Sequence, residues 1–470
     1  MKTLVIAEKP SVARDIARVL GCAKKENGAL EGNQYIVTWA LGHLVTLKDP
    51  EDYDKKYKEW NMAVLPMMPE KLQIKVIPQT GKQYHAVTTQ LARKDVGEVV
   101  IATDAGREGE LVARWILDKA HNQKPCKRLW ISSVTDKAIR EGFASLKDAK
   151  EYDNLYRAAV SRAEADWLVG INATRALTCK YNAQLSCGRV QTPTLAMIAQ
   201  REQEIREFVP KPYYTVTAAA GGAVYTWKDE KSGGTRISDP EKAKQIAEKA
   251  KRYPLVLQKV EKKKKQKEAP LLYDLTELQR DASARFGYSA KQTLNLMQSL
   301  YETHKVLTYP RTDSRYLTKD IVPTLKERLD AVSIGPYKTL AQQAKRRPLK
   351  EKPGFVNDAK VSDHHAIIPT EQYVQLSALS NEERRIYDLV VRRFLAVLLP
   401  PCVYEETVIQ ASIEKECFTA RGKRMVEKGW QEAYEDNRYD DEDEAKEEVR
   451  EQNLPLLQAG MKFDQSKISL

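Results

Sequence analysis

Apolar runs with the periodicities of strands and helices alternate along the first 150 residues. Residues 3–7 form a short apolar run that ends at Glu8, and Ser11 is placed to cap a helix that Gly21 ends in the left-handed conformation. Residues 98–103 are almost continuously apolar, as in a buried parallel sheet, and a helical pattern covers about 110–120. The pattern predicts an α/β domain.

Helical and extended patterns occupy separate stretches of the rest of the chain. Residues 152–207 have helical periodicity interrupted at 182–192, whereas residues 213–227 alternate as a strand does. Residues 276–286 and 290–301 predict two helices joined by a short turn, either a helix-turn-helix or an ordinary helical hairpin. Strand character returns at 403–412. The predicted fold class is multidomain, with an α/β domain followed by α+β segments.

Positive charge is spread over the whole chain except for one acidic segment. The net charge is +12, but residues 432–451 hold eleven acids and three bases, so the other 450 residues carry +20. Such a surplus favours a polyanionic partner such as nucleic acid, although many modestly basic proteins have none. Six of the nine residues in 259–267 are lysines, which predicts an exposed hinge or an edge that faces DNA. The acidic segment is predicted to be a solvated surface loop.

Composition and missing motifs exclude several classes of protein. Apolar residues make up 42% and charged residues 30%, and the apolar runs are too short to span a bilayer, so no membrane partner is expected. The six cysteines contain no C-x-x-C pair, so neither a zinc ribbon nor a disulfide framework is indicated. No G-x-x-x-x-G-K-[ST] occurs, which argues against ATP hydrolysis by a P-loop. With no secretory signal pattern, the expected compartment is a reducing cytosol.

Three acidic residues follow predicted strands at the edge where open α/β sheets bind ligands. Glu8 and Asp104 each end a strand, and Glu108 comes four residues later in a loop whose two glycines are expected to allow a tight turn. Converging carboxylates would suit Mg²⁺, whereas in the alternative Asp104 and Glu108 interact only with the dipole of the next helix. Lys9 would either reach a phosphate or pair with a neighbouring acid.

A tyrosine followed by proline comes after the second helix of the predicted hairpin. Tyr309 is a candidate nucleophile, because Arg311 two residues later would clamp a phosphate beside it. A Tyr-Pro pair is also a common turn, so this segment alone does not distinguish the two interpretations.

Five motifs resemble those of type IA DNA topoisomerases, most closely the bacterial topoisomerase III group. They occur in the family's order and spacing, and the resemblance covers essentially the whole chain. They are AEKPS at 7–11, ATDAGREGE at 102–110, SCGRVQTP at 186–193, YPRTDS at 309–314 and SDHHAIIPT at 362–370. One such motif would be weak, but five in order are specific.

The resemblance implies an ATP-independent, Mg²⁺-dependent enzyme that relaxes negative supercoils or unlinks DNA. Tyr309 would break one strand and keep its 5′ phosphate as a tyrosine ester, with Arg311 steadying that phosphate. The acidic metal site would be Glu8, Asp104 and Glu108, and Lys9, Glu8 and His364 would join the catalytic set. The residues implied in contacts with single-stranded DNA are Trp60, Trp167, Arg175, Gly188, Arg189, Val190, Gln191, Thr192, Pro193 and Arg311.

The resemblance also implies a toroid built from successive domains. The expected segments are a Rossmann-like TOPRIM domain (1–150), the first part of a helical domain that binds single-stranded DNA (151–212), the first part of a β-rich arch (213–275), a helix-turn-helix-like domain with the catalytic tyrosine (276–402), the return of the arch (403–430), and an acidic loop with the start of the return to the helical domain (431–470).

Two departures from the family pattern modify these expectations. Gly106 stands where the family often has a second aspartate, so one Mg²⁺ held by Glu8 and Asp104 is expected rather than two. The chain stops at Leu470, where family members continue, so the toroid is expected to be incomplete at its C-terminal end.

Two other functions remain in competition with the topoisomerase. One is a truncated single-stranded-DNA-binding chain that cleaves but is impaired in strand passage. The other is a TOPRIM nuclease without a covalent intermediate, against which Tyr309 and Arg311 argue. The expected partners are single-stranded and negatively supercoiled DNA, with a helicase as a further candidate, and the expected location is the cytoplasm at the nucleoid.

Overall fold

The computed structural model describes residues 1–347, 354–361, 364–434 and 451–470, which fall into two compact units. Unit 1 contains Met1–Glu207, Tyr273–Val332, 354–361 and 364–390. Unit 2 contains Phe208–Leu272, 333–347, 391–434 and 451–470. The finer six-part division and the toroid stay predictions, and most of the predicted acidic loop lies outside the described residues.

The strands are β1 (Lys2–Ala7), β2 (Lys24–Glu26), β3 (Ala29–Glu31), β4 (Tyr35–Trp39), β5 (Val45–Leu47), β6 (Ile74–Val76), β7 (Val96–Ala102), β8 (Cys126–Arg128), β9 (Lys147–Asp148), β10 (Thr217–Ala220), β11 (Ala223–Trp227), β12 (Leu255–Lys267), β13 (Cys402–Ile413), β14 (Glu416–Glu427), β15 (Glu451–Gln452), β16 (Lys462–Phe463) and β17 (Lys467–Ser469). The α-helices are α1 (Pro10–Val19), α2 (Gly81–Leu91), α3 (Arg107–Lys119), α4 (Asp136–Ala144), α5 (Asp153–Tyr181), α6 (Gln191–Arg206), α7 (Pro240–Arg252), α8 (Leu275–Phe286), α9 (Ala290–Glu302), α10 (Leu325–Ala331), α11 (Lys338–Lys345) and α12 (Asn381–Leu398). No helix in the described ranges is long and apolar enough to cross a membrane.

The N-terminal part of unit 1 is a twisted sheet with helices on both faces. Its strand order is β2-β3-β4-β1-β7-β8-β9, and β1 runs parallel to both β4 and β7. Leu4 and Ile6 pack into one apolar cluster with α2 and α3, whereas Val5 and Ala7 pack into another with α1 and α4. Burial on both faces explains why these strands are continuously apolar. The predicted α/β domain is confirmed.

Some predicted boundaries are wrong by a few residues. Helix α1 begins at Pro10 with Lys9 at its N-cap, so Ser11 is inside the helix rather than its cap. Proline is favoured there because its fixed φ suits the first helical turn. Gly21 is left-handed at φ 71°, as predicted.

The helical parts of unit 1 follow their predicted pattern closely. Helix α5 ends where Asn182 turns left-handed at φ 49°, and α6 starts at Gln191, just inside the predicted interruption. Helices α8 and α9 confirm the predicted pair, with Asp274 and Ser289 accepting hydrogen bonds at their N-caps. Gly287 is left-handed in the turn between them.

Unit 2 is built on an antiparallel sheet in the order β16-β12-β13-β14-β11-β10-β17, with β15 beside β14. The single strand predicted over 213–227 is wrong. It is the hairpin β10–β11, because Gly221 and Gly222 have φ values of 58° and 79°, which a tight hairpin turn requires. The lysine-rich segment 259–267 lies in β12 and is regular strand rather than an irregular hinge.

Candidate active site

Two acidic side chains meet at the carboxyl edge of the parallel sheet. Strands β1 and β7 are neighbours in register, with Ala7 opposite Ala102, so the residues that follow them emerge side by side. The backbone N–H of Asp104 donates to Glu8 Oε2 at 3.1 Å. The structure therefore brings Glu8 and Asp104 together, as the strand ends predicted.

Burial and neighbouring charge raise the proton affinity of both carboxyl groups. Burial and the negative charge of Asp104 raise the pKa of Glu8 to about 7. Burial also raises the pKa of Asp104, against the opposing effect of Lys9. Two half-buried carboxylates this close together are unfavourable even though Lys9 partly offsets their charge, and a hard divalent cation with a preference for oxygen ligands would relieve them. This donor set fits Mg²⁺.

Tyr309 lies directly over this pair. Its backbone N–H donates to Ser132 O at 3.0 Å, and its hydroxyl donates to Asp104 Oδ2 at 3.4 Å. The segment around it is fixed by the 364–370 strand-like stretch: Thr308 N–H donates to Ile368 O at 3.0 Å, and Thr312 Oγ1 donates to His364 O at 2.8 Å.

Aromatic rings hold the Tyr309 side chain in place. His364 stacks on it with ring centroids 4.3 Å apart, and Tyr301 meets it edge-on at 5.5 Å. Trp130 lies nearly parallel to the other side of His364 at 6.3 Å. A ring packed on two sides has little rotational freedom, so the phenolic oxygen is presented at a defined position.

Burial and two nearby carboxylates favour the neutral form of the Tyr309 hydroxyl. Burial raises its pKa well above the usual value, and Asp104 and Glu8 raise it further, while Arg311 acts in the opposite direction. In the protein alone, burial and the two carboxylates outweigh Arg311, so the phenol is protonated.

His364 is neutral in this environment. Burial lowers its pKa to about 3, reinforced by the neighbouring His365. Its Nδ1 lies 3.3 Å from Ser132 Oγ, whereas its buried Nε2 lacks a well-formed hydrogen bond within the described part of the chain. The backbone of Ala105 partly opposes this lowering of the His364 pKa. His364 therefore stacks on Tyr309 without adding a charge.

The two predicted cations are placed differently. Lys9 Nζ lies 2.5 Å from Glu302 Oε1 at the end of α9, the acid-paired alternative considered for this residue. Arg311 is exposed and has no hydrogen bond or ion pair with any residue the structure describes. Its guanidinium is therefore available to a phosphate.

Glu108 is not gathered with the other two acids. It is half-exposed and pairs with His43 at 3.6 Å and Arg162 at 3.4 Å. The hydrogen bond from His43 is the main reason why its pKa is lowered. Over the described ranges, no group of three or more His, Cys, Asp or Glu side chains is placed to hold a metal ion. Glu8 and Asp104 fit the metal best, and Glu108 as a third ligand stays a prediction.

The two glycines of the loop after β7 have different roles. Gly106 is extended at φ 175°, and an added Cβ would meet open space, so the backbone there does not need glycine. A Cβ on Gly109 would lie 1.9 Å from Asp104 O. Both glycines were expected to allow a tight turn, and of the two only Gly109 is required, because the backbone of Asp104 approaches it closely.

Arg128 is a residue of the site that sequence analysis missed. It is fully buried, and its Nε donates to Glu110 Oε1 at 2.6 Å. Its two terminal nitrogens donate to Thr103 O and Asp104 O, each at 2.7 Å, so it secures the backbone that carries Asp104. The available signal was an arginine inside a short strand. Its partners could not be read from the sequence.

Two of the expected DNA contacts lie close together at α5. The Arg175 guanidinium sits 5.1 Å from the Trp60 ring centre, and its Nη1 donates to Tyr57 O. Trp60 is half-exposed, as base stacking would require. Trp167 is instead held by a 2.9 Å hydrogen bond from its Nε1 to Lys48 O and packs against the core of unit 1.

The segment 188–193 leads from a turn into the first residues of α6. Gly188 N–H donates to Thr192 Oγ1 at 3.0 Å, and Arg189 Nε donates to Asp166 Oδ1 at 2.7 Å. Val190, Gln191, Thr192 and Pro193 are exposed. The predicted contacts to DNA at this segment stay predictions.

Comparison with known proteins identifies both parts of the chain. A family model described as DNA topoisomerase matches residues 150–470, and a Toprim domain model matches residues 3–134. Proteins with Toprim domains generally bind a divalent metal. DNA topoisomerase 3 of Bacillus subtilis (strain 168) is 60% identical over 459 residues, and the same enzyme of Bacillus anthracis is 60% identical over 460.

These relatives are longer than this chain. Each alignment covers 98% of this chain and 63% of the relative, so the chain spans less than two thirds of their length. The solved structure of full-length topoisomerase I from Thermotoga maritima matches with a TM-score of 0.71 at 22% identity, covering 99% of this chain and 71% of that one. That likeness shows a shared multidomain fold. On the family match and the identity to these relatives, the chain belongs to the type IA DNA topoisomerases.

Proposed function

We propose that this chain transiently cleaves one strand of DNA through Tyr309 and rejoins it, relaxing negative supercoils or decatenating DNA. The observation that carries the proposal is the Tyr309 hydroxyl 3.4 Å from Asp104 Oδ2, above the Glu8–Asp104 pair. A nucleophile held next to a proton acceptor is what an attack on a phosphodiester needs.

The reaction conserves the energy of the broken bond. Tyr309 Oη forms an ester with the 5′ phosphate, the bond from phosphorus to the 3′ oxygen breaks, and the reverse step reseals the strand. The Tyr309 proton passes to Asp104, whose raised pKa favours accepting it. The leaving 3′ oxygen takes up a proton from water, because Glu8 is ionised when it holds a metal ion. No ATP is needed, because a phosphate ester is exchanged for a phosphate ester.

Positive groups surround the transferring phosphate. Arg311, exposed and unpaired with any described residue, steadies the phosphate by paired hydrogen bonds. Glu8 and Asp104 would hold a Mg²⁺ ion, which would supply positive charge at the transferring phosphate and favour the phenolate. His364 keeps the Tyr309 ring in position, and Lys9 restrains Glu302 beside the acid pair.

The proposed substrate is single-stranded DNA, including the unpaired regions of negatively supercoiled DNA. Trp60, which is half-exposed and packs on the buried Arg175, offers a stacking surface, and Arg189 lies at the exposed start of α6. A helicase that exposes single strands fits as a partner, and the nucleoid in the cytoplasm is the proposed location.

One observation favours a second candidate function, cleavage with impaired strand passage. All sixteen residues of α6 are exposed, including Leu195, Met197 and Ile198. A helix that buries no apolar face is weakly held, so DNA bound along it would be held weakly too.

Two assays test these proposals. The Tyr309→Phe variant should bind a labelled single-stranded oligonucleotide but form no adduct that survives denaturation, since it lacks only the phenolic oxygen. Tyr316→Phe, which removes a hydroxyl elsewhere in unit 1, is the control and should form the adduct. A covalent adduct on the Tyr309→Phe variant refutes the assignment.

Plasmid relaxation with Mg²⁺ and no ATP separates the two functions. Relaxation by this 470-residue chain supports full strand passage. Oligonucleotide cleavage together with poor relaxation supports the second candidate, and nicking without an adduct would indicate a nuclease.

A further inference from the structure

Three strands of unit 2 carry an exposed basic region away from the apolar core. We call it the basic arm: residues 258–267 of β12 with their partners in β13 and β14. Leu255 and Leu257 at the start of β12 are buried, whereas Lys262–Lys265 are exposed. The proposed catalytic site uses none of these residues.

One face of the basic arm concentrates cations with little compensation. Lys262 and Lys264 share this face because side chains alternate along a strand. Glu405 is directly opposite Lys264, and Arg424 is opposite Glu405 on the next strand. Arg424 is 76% exposed, and its Nη2 lies 3.6 Å from Glu405 Oε1. Lys262 and Lys264 form no ion pair with the residues that the structure describes.

A cavity of about 410 Å³ opens on the same face. Its lining includes the cations Lys262 and Arg424, the carboxylate Glu405, and the polar residues Thr407 and Asn453. Gly422 lies in register with Thr407, and a Cβ there would be 2.6 Å from Leu454 Cγ, so the 453–457 segment packs directly on the sheet and walls the cavity. The volume of this cavity is typical of a small-molecule site, and the cavity is far too narrow for a DNA duplex.

Lysines on an edge strand also have a simpler explanation. They prevent the unpaired edge from adding strands of other molecules, and β16 covers β12 only at Leu255 and Val256. That role needs charge at the edge alone. It does not account for Arg424, which comes from the third strand, or for a cavity that combines cations with polar groups.

We propose that the cationic face of the basic arm, centred on Lys262, Lys264 and Arg424, binds the phosphate backbone of single-stranded DNA at a second site. The inference rests on the proposed action on single strands. A basic groove with hydrogen-bonding groups follows a single strand's phosphates without reading its sequence. The site would hold DNA outside the cleavage centre and so restrain the strand during breakage.

The salt dependence of binding tests this proposal. For single strands, log K against log salt has a slope of about −0.7 for each phosphate contact. In a Tyr309→Phe background, which isolates binding from cleavage, the triple change Lys262→Gln, Lys264→Gln and Arg424→Gln should make the slope shallower by about 2, for three contacts. The probe is a long labelled oligo(dT), and its binding is measured at salt concentrations from about 50 to about 200 mM.

A matched control removes the same charge elsewhere in unit 2. Lys244, Lys249 and Lys251 on α7 are exposed and each pairs with a glutamate. Their change to glutamine should leave the slope as in the parent. Changing Lys262 and Lys264 to arginine should preserve the parent slope, because the charges remain.

The second DNA site and the proposed cleavage function are tested by different measurements. A parent-like slope in the arm variant, or an equal change in both triple variants, overturns the second site. A parent-like slope with new self-association would indicate edge protection alone. In parallel, the chain without substitutions is tested for a covalent adduct with a short oligonucleotide. The absence of an adduct would refute the proposed function but would not change the comparison of salt slopes.

Discussion

Replacing Glu8 by glutamine should stabilise the metal-free protein above pH 7 and leave it unchanged near pH 4. The isosteric amide keeps an oxygen that accepts the Asp104 N–H but removes a charge that burial and Asp104 both oppose. The wild-type carboxyl has a pKa of 4.5 when unperturbed and about 7 in the fold.

The sign and size of the effect follow from this difference. Below pH 4.5 Glu8 is protonated in both the folded and the unfolded chain, so it costs nothing. Between pH 4.5 and 7 the unfolded chain loses this proton while the folded one keeps it, and the free energy of unfolding falls as the pH rises. At about 1.4 kcal/mol for each pKa unit, the shift from 4.5 to about 7 sets an upper limit of roughly 3–4 kcal/mol on the penalty above pH 7. Asp104 reduces it by taking up the proton itself.

Thermal unfolding in EDTA from pH 4 to pH 8 measures the effect. The Tm of Glu8→Gln should equal that of the wild type at pH 4 and exceed it by several degrees at pH 8. Glu241→Gln, which removes an exposed carboxylate in unit 2, is the control. Adding Mg²⁺ should raise the Tm of the wild type more than that of Glu8→Gln. A variant no more stable than the wild type at pH 8 would refute like-charge repulsion at this site.

Three further substitutions test the loop that carries Asp104. Asp104→Asn should weaken the Mg²⁺ dependence and slow rejoining, and an unchanged Mg²⁺ titration in relaxation assays would show that this carboxylate is not a ligand. Gly106→Asp should fold normally and tighten Mg²⁺ binding measured by calorimetry, because the backbone there is extended and its Cβ direction is open; weaker binding would contradict this. Gly109→Ala should lower the Tm by an amount equivalent to about 2 kcal/mol or more, because its Cβ would collide with Asp104 O; a wild-type Tm would show that the loop can shift freely.

Local pattern predicted the elements that position the acidic pair. The apolar runs that form β1 and β7 are buried on both faces. Such strands must be almost entirely apolar, so they can be recognised in a sequence. Because neighbouring parallel strands end at one edge, Glu8 and Asp104 could be placed together without coordinates. The single strand predicted over 213–227 is wrong because Gly221 and Gly222 form a tight turn that divides it into the hairpin β10–β11.

The motifs indicated Tyr309, Arg311 and His364, but not what surrounds them. Each motif keeps its residue types in order along the chain, so the family could be recognised from them. The stacking of Tyr309 on His364 and its contact with Asp104 join segments far apart in the sequence.

Only the tertiary structure decided the charge state of the site and the partners of its ions. Lys9 pairs with Glu302, 293 residues away, and Arg128 secures Asp104 O across the sheet edge. Glu108 faces His43 and Arg162 instead of the other acids, and burial together with Asp104 and Glu8 raises the pKa of Tyr309. Electrostatic energies depend on burial and on distances between side chains, so the order of residues along the chain determined which groups were present, while packing determined which of them interact.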